Sequence, residues 1–307
     1  MRRSLSTDQV TALAARLLGD KHVQVAPVKT PGMETRSFRI AGGNRTGCLR
    51  IGSNLRSFHK DAWAKTTFGK VLPVPQVWDY GELPNRLTYC LTSWAPGRTL
   101  QDLTADEINR TTPLVFDAWT RLQTDAIDTT SGFGDLDPDT LAGPYTSHHD
   151  RLRAELNDAR KWPTTWTEPR SSAVSELLER YETLIEACPN DRAFIHGDWG
   201  TNNILGTADR LTAILDWEAA GIGDPLQDIA GRFWAFWPPV STCVSALASY
   251  ADQQLGTLPN YRERALCYDL QTGISEITEC LQDDELDFAE RCLDRCLDLL
   301  GDFDDSA

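Results

Sequence analysis

The sequence predicts an α+β chain in two parts. A small part built on an antiparallel sheet covers residues 1–95, and a larger, mainly helical part covers 96–307. Three observations carry this. Between residues 23 and 94 the apolar residues come in short runs punctuated by Gly, Pro, Asn and Asp, as strands and their turns do. The strand pattern stops at Ala95-Pro96-Gly97. Beyond it, apolar residues recur at three- and four-residue spacing over long stretches, interrupted by one strand–loop–strand stretch at 193–218.

The first helix is expected at 6–18. Ser6 and Gln9 form a capping box, Val10, Leu13, Ala14, Leu17 and Leu18 share one face, and Gly19 ends it. Strands follow at 23–28, 35–40 and 47–51. The segment 29–35 between the first two contains one glycine, Gly32, and reads on its own as a hairpin turn. The third strand carries Arg50, whose forked donors suit phosphate oxygens, although an edge-strand Arg is also commonly just solvated. A helix at 57–68 offers Asp61 as a partner for Arg50. Segments 74–78 and 87–94 read as an antiparallel pair, with the hinge placed at 95–97. Helices are expected at 104–126, 147–161 and 171–187, a hydrophobic helix from Asp228 to Phe236, and helix again at 241–256 and 260–300.

The composition is that of an ordinary globular chain, 41% hydrophobic and 24% charged, with a net charge of −15. That acidity argues against nucleic acid as a partner and suits a cationic ligand. Arg-for-Lys usage with abundant Asp is equally a pattern of salt-adapted proteins. No run reaches the eighteen or so apolar residues of a membrane helix, so no membrane partner is expected. The basic N-terminus lacks a following apolar core, so a cytoplasmic location is expected. The 8 cysteines include no C-x-x-C pair and read as buried thiols, with Cys292 and Cys296 one helical turn apart.

The stretch 193–218 carries the chemistry. Asp198 follows a short apolar strand and stands in a turn with Gly197 and Gly200; Asn203 comes five residues later, and a second strand at 211–215 exits into Asp216. A hairpin of this kind returns Asp216 to the side of Asn203. One carboxylate and one amide oxygen suffice for Mg²⁺, which keeps several waters. Asp198 is then left to accept the proton of an attacking hydroxyl, the division of labour of phosphoryl transfer. Any one of these residues alone reads as a turn former; the signal is in the conjunction.

The motif H-G-D-x-x-x-x-N, followed by an apolar strand ending in Asp216-Trp217-Glu218, resembles that of the aminoglycoside phosphotransferase family, which is related to the protein kinases. The segments GCLRIGS, TLQDL, TSGFG and LTAILDWEAAGIGD extend the resemblance over nearly the whole chain from about Pro27. It implies a two-lobed protein-kinase-like fold, with a nucleotide-binding lobe over 1–95 and a catalytic and substrate-binding lobe over 96–307. It implies ATP and Mg²⁺, and transfer of the γ-phosphoryl group to a hydroxyl of a cationic aminoglycoside by a monomeric enzyme that confers antibiotic resistance. By residue it implies Asp198 as the base, Asn203 and Asp216 as metal ligands, and Arg50, oriented by Asp61, at the phosphates. Thr35 would lie on the loop covering them, and backbone near Ser93 and Trp94 would meet the adenine edge, with Trp94 either stacking on the base or packing the hinge. Asn202, Glu218, Asp228, Trp234 and Trp237 would face substrate, and His196 and Asp224 would hold the catalytic loop. The acidic run from Glu276 to Asp294 is either a solvated helix face or, in part, a lining for ammonium groups. Two alternatives stand beside this reading: a kinase of a small metabolite hydroxyl, and a non-catalytic nucleotide-binding module, which would have no need of the base.

Overall fold

The computed structural model describes residues 5–28, 35–160, 162, 166–207, 209–238 and 240–306. In chain order the elements are α1 (Thr7–Leu18), β1 (Gln24–Pro27), β2 (Arg36–Gly42), β3 (Arg45–Gly52), α2 (Leu55–Phe68), β4 (Val77–Leu83), β5 (Leu87–Ser93), β6 (Arg98–Thr99), α3 (Ala105–Arg121), β7 (Gly134–Asp135), α4 (His148–Ala159), α5 (Arg170–Ile185), β8 (Ala193–Ile195), β9 (Ile204–Thr207), β10 (Arg210–Ile214), β11 (Gly221–Gly223), α6 (Leu226–Ile229), α7 (Ser241–Leu255), α8 (Tyr261–Gln282) and α9 (Leu286–Asp305). They group into two compact units, Met1–Thr99 with Asn202–Ala219, and Leu100–Thr201 with Ala220–Ala307. The boundary read from the sequence at 95/96 therefore falls at Thr99, and the 202–219 segment joins the first unit.

In the first unit the sheet order is β1-β2-β3-β5-β4, antiparallel throughout. The two-residue alternation of β3 sorts its side chains by face. Leu49 and Ile51 pack with Phe38, Ile40 and Leu91 under Val10, Leu13 and Ala14 of α1. Arg50 points the other way, where its guanidinium lies 5.0 Å from the Phe58 ring of α2. α1 is capped as the sequence indicates, by the Ser6/Gln9 box and by Gly19 at φ 66°. β4 starts three residues later than expected. Pro75 has no N–H to give a ladder, and pairing with β5 begins at Val77 and runs to Leu83, where Asn85 and Arg86 at positive φ turn the chain. A second sheet, β10-β9-β6, holds the hairpin. Gly97 stands against it at φ 121°, where a Cβ would lie 2.8 Å from the Gly206 carbonyl oxygen; only glycine fits there.

The second unit is mainly helical, with a three-stranded sheet in the order β7-β11-β8. α8 is its axis and is buried around most of its circumference, from Tyr261 through Ile277. Gly273 lets α9 and the 233–236 turn close on it, since a Cβ there would lie 2.2 Å from Cys296 Sγ and 2.7 Å from the Phe233 ring. The eight cysteines are free thiols, Cys292 and Cys296 among the fully buried ones. Two expected helices differ. The helix from Asp228 to Phe236 is instead the four-residue α6 and a 3₁₀ turn, Phe233–Phe236. Side chains take over its ladder: Asp269 accepts the Arg232 and Phe233 amides, and Arg295 donates to the carbonyls of the same two residues. The expected helix at 260–300 is broken at 283–285, where Asp284 adopts φ 59°. No described helix is long and apolar enough to cross a membrane.

Candidate active site

The first unit carries the candidate phosphate-binding residues. Arg50 on β3 is paired with Asp61 on α2, its side chain 18% exposed. Burial works against its charge, but the Asp61 carboxylate more than offsets this and raises its pKa, with Asp216 acting in the same direction. Asp61 has a second task, accepting the Trp217 amide with its other oxygen at 3.3 Å. Thr35 lies at the edge of the same region, with its methyl over Gly52. The loop expected to cover phosphates falls at 29–34, outside the described residues. The adenine-edge expectation needs correction in one respect. The Ser93 and Trp94 amides donate to the Gln76 and Thr46 carbonyls at 2.8 and 3.0 Å, which removes both donors from a nucleotide base. The Trp94 ring lies under the Arg39 guanidinium at 5.3 Å, and Ser93 Oγ accepts the Gln76 amide.

The hairpin places the two candidate metal ligands. Asn203 directly precedes β9 and is 6% exposed, and Asp216 follows β10. The Leu215 amide donates to the Asn203 carbonyl at 2.8 Å, so the two residues flank the open end of one hairpin, as the sequence indicated. Asp216 adopts φ 61°, a conformation Asp tolerates better than most residues. Among the described residues no group of three or more His, Cys, Asp and Glu side chains is arranged to hold a metal ion. The carboxylate of Asp216 and the amide of Asn203 are hard oxygen donors of the kind that fits Mg²⁺, which keeps several waters. Asn202 is exposed beside them, and Glu218 is partly buried, its carbonyl accepting from Lys60 Nζ.

The second unit carries the candidate base. β8 delivers the chain into His196, fully buried, then Gly197 at φ 81°, then Asp198, exposed. His196 Nδ1 accepts the Asp198 amide at 3.3 Å, and its ring meets Trp199 edge-on at 5.6 Å, so His196 holds the loop. Asp228 braces it from below, accepting the His196 and Gly197 amides at 2.7 and 2.9 Å. Removal from water pushes the Asp228 carboxyl up to about 7, against those two amides and with the help of the Asp198 charge. This corrects two sequence assignments. Asp228, expected to face substrate, contacts the loop backbone. Asp224, expected to brace the loop, is fully buried and is held instead by Arg264 (2.8 and 2.7 Å), Tyr268 Oη (2.7 Å) and the Leu226 amide.

The candidate substrate aromatics are partly engaged. Trp234 stacks on Phe236 at 6.2 Å, and Trp237 packs edge-on against Phe288 of α9 under the Arg291 guanidinium. Of the acidic run, the structure singles out Glu276. Its carboxyl is pushed up to about 7 by burial, then by Glu279, then by the charge of Asp198, which places it in electrostatic reach of the candidate base. Sequence reasoning passed over Lys60 altogether. Its helical phase held the signal, because it stands three residues from Ser57 and four from Ala64 on the buried face of α2.

An Arg–Asp pair between a small antiparallel sheet and the helix α2, an Asn–Asp hairpin mouth and a braced Asp loop are the features of a kinase-like phosphotransferase. The chain belongs to the phosphotransferase enzyme family, whose profile matches residues 61–267. It is 32% identical over 267 residues to hygromycin-B 4-O-kinase of Escherichia coli, covering 86% of this chain and 77% of that protein. Viomycin phosphotransferase of Streptomyces vinaceus is 29% identical over 175 residues, 53% of this chain and 56% of that one. Among solved structures, a thermostable mutant of aminoglycoside phosphotransferase APH(4)-Ia, in ternary complex with AMP-PNP and hygromycin B, superposes with a TM-score of 0.84 at 30% identity. The match covers 94% of this chain and 97% of that one.

Proposed function

We propose that this chain is an ATP-dependent phosphotransferase that moves the γ-phosphoryl group to a hydroxyl of an aminoglycoside antibiotic of the hygromycin B kind, and so protects its cell. The observation that carries the reading is the Asp198 loop. An exposed carboxylate is held on a buried His196 and on Asp228, five residues before the metal-ligand candidate Asn203. The similarity to hygromycin-B 4-O-kinase supplies the substrate class.

In this reading Asp198 accepts the proton of the substrate hydroxyl as its oxygen bonds to the γ-phosphorus and the bond to the departing ADP oxygen breaks. Arg50, kept charged by Asp61, holds phosphate oxygens, while Asn203 and Asp216 would hold Mg²⁺, which supplies positive charge against the nucleotide phosphates. Asn202, Glu218, Trp234, Trp237 and Glu276 are the side chains we assign to the substrate. Positioning and charge stabilisation supply most of the rate. The enzyme acts as a monomer in the cytoplasm, where ATP is present.

A coupled ADP-release assay tests this, with Mg-ATP or Mg-GTP, a panel of aminoglycosides including hygromycin B, viomycin, and simple amino alcohols and sugars. Turnover on hygromycin B that Asp198→Ala lowers by at least about a thousandfold, with nucleotide binding retained, is the expected outcome. Turnover confined to a simple metabolite would replace the substrate class, and nucleotide binding without turnover on any acceptor would make the chain a binding module.

A further inference from the structure

The α2 helix buries a lysine for which the reaction so far gives no task. Lys60 is 0% exposed and is among the largest fully buried side chains of the protein. An ammonium group in such a place is costly unless it is paired, and an apolar side chain of its length would pack there more cheaply. Lys60 Nζ donates to the carbonyl oxygen of Glu218, 158 residues away in sequence. Its neighbour Asp61 holds the same segment, accepting the Trp217 amide while it also pairs Arg50. About two turns further on, Phe68 stacks on the Trp217 indole at 5.2 Å and 15°, and that indole donates to the Ile214 carbonyl at 3.1 Å.

These contacts converge on the peptide groups around Asp216. The Trp217 amide belongs to the peptide plane that the ψ angle of Asp216 sets, and the Glu218 carbonyl belongs to the short 3₁₀ turn Trp217–Ala219 that follows. Asp216 itself stands at φ 61°, a left-handed conformation that persists in a non-glycine residue when its surroundings over-determine it. Of those surroundings, Asp61 sets the first peptide plane and Lys60 locks the turn behind it.

We propose that Lys60 is a positioning residue for phosphoryl transfer, clamping the Asp216 turn onto α2 so that the Asp216 carboxylate is held ready for the metal–nucleotide. This rests on the reading of Asp216 as a metal ligand. It makes α2 the single element that orders both the phosphate-binding Arg50, through Asp61, and the turn after β10, through Lys60 and Asp61 together.

The test compares wild type with Lys60→Met, which keeps the length of the side chain and removes its donor and charge, and with Lys60→Arg, which keeps both. Hydrogen–deuterium exchange is followed across 214–219 in the nucleotide-free protein, and Mg²⁺ half-saturation is measured at fixed ATP. In Lys60→Met the Trp217 amide should exchange faster, and the Mg²⁺ requirement should rise by about tenfold, the usual scale for removing a residue that orients a metal ligand. Lys60→Arg should recover most of the loss. Unchanged exchange and an unchanged Mg²⁺ requirement in a folded Lys60→Met protein would overturn the proposal, as would equal defects in the Met and Arg variants. If Lys60→Met does not fold, Lys60→Gln carries the same comparison with the same two outcomes. Asp216→Asn, run in parallel, separates the layers. Faster exchange in Lys60→Met, with a Mg²⁺ requirement that neither variant alters, would refute the metal assignment of Asp216 and the catalytic part of this proposal with it.

Discussion

Asp228 shows how one side chain can serve geometry at the expense of stability. Its carboxylate accepts two consecutive backbone amides, at His196 and Gly197, and so fixes the turn that presents Asp198. Asn in its place offers one oxygen and turns its NH₂ toward the second donor. We expect Asp228→Asn to lower kcat by about a hundredfold, the effect of a small displacement of a catalytic group. KM for the nucleotide should change little, because Arg50, Asn203 and Asp216, the residues proposed to hold it, are untouched; an equal loss in both parameters would show that the variant disturbs more than the loop. Stability should move with pH in a defined sense. The Asp228 carboxyl is pushed up to about 7 in the folded protein, above an unfolded value near 4. The stability it contributes is therefore fully present below about pH 4 and is lost as pH rises through 7. The Tm gap between wild type and Asp228→Asn should thus narrow from pH 5 to pH 8, and a gap that stays constant over that range would place the carboxyl's folded value at or below its unfolded one.

At the scale of elements, α8 is where the second unit is most exposed to damage. Asp224 is fully buried and has three side-chain hydrogen bonds, two from Arg264 and one from Tyr268 Oη, both on α8. His148 Nε2 lies 3.1 Å from the same Tyr268 hydroxyl, and burial pushes the imidazole down to about 3, so the ring is neutral at physiological pH. With the tyrosine proton given to Asp224, the imidazole is the donor to Tyr268 Oη. Arg264→Met removes the one full charge that faces Asp224 in this group and should cost about 3–5 kcal/mol, the usual result of leaving a buried partner uncompensated. Urea unfolding at pH 7 measures it; a loss under about 1 kcal/mol would mean that Tyr268 and the Leu226 amide alone satisfy Asp224. Elements of this kind also mark how far the sequence could be read. The α1 cap, the sheet strands near β3 and β5 and the Asn203–Asp216 hairpin follow local rules of capping, alternation and turn chemistry, and they stand where those rules put them. The 228–236 segment reads as a helix because its apolar residues are dense, but Asp269 and Arg295, which divert its backbone groups, lie 36 or more residues further along the chain. The misassignment of Asp224 and Asp228 has the same origin. Each is a lone Asp near a turn, and only the fold decides which one meets amides and which one meets Arg264. Lys60 was legible in phase but not in purpose, since the carbonyl it holds is 158 residues away.

For the molecule as a whole, a net charge of −15 has two possible uses, and they respond to salt in different ways. If the acidity serves a polycationic substrate, the field draws the antibiotic in, and screening should weaken that attraction. The Debye length shrinks from about 30 Å at 0.01 M to about 3 Å at 1 M ionic strength. KM for an aminoglycoside should then rise roughly threefold to tenfold between 0.02 M and 0.5 M KCl, with kcat nearly constant, while KM for the anionic nucleotide holds or falls. If instead the acidity is an adaptation to salt, the compact state is the beneficiary. Self-repulsion among the carboxylates is relieved as salt rises, so Tm climbs steeply over the same range while KM for the aminoglycoside stays flat. The placement of Glu276 favours the first use at close range. It is a partly buried acid in electrostatic reach of Asp198, where an ammonium group of the substrate would offset the burial, and then the repulsion from Glu279 and Asp198, that raise its pKa. Glu276→Gln should therefore raise KM for the aminoglycoside and remove part of its salt dependence, leaving the Tm–salt slope as it was. A Gln variant that keeps the wild-type KM at every salt concentration would hand the acidity to stability.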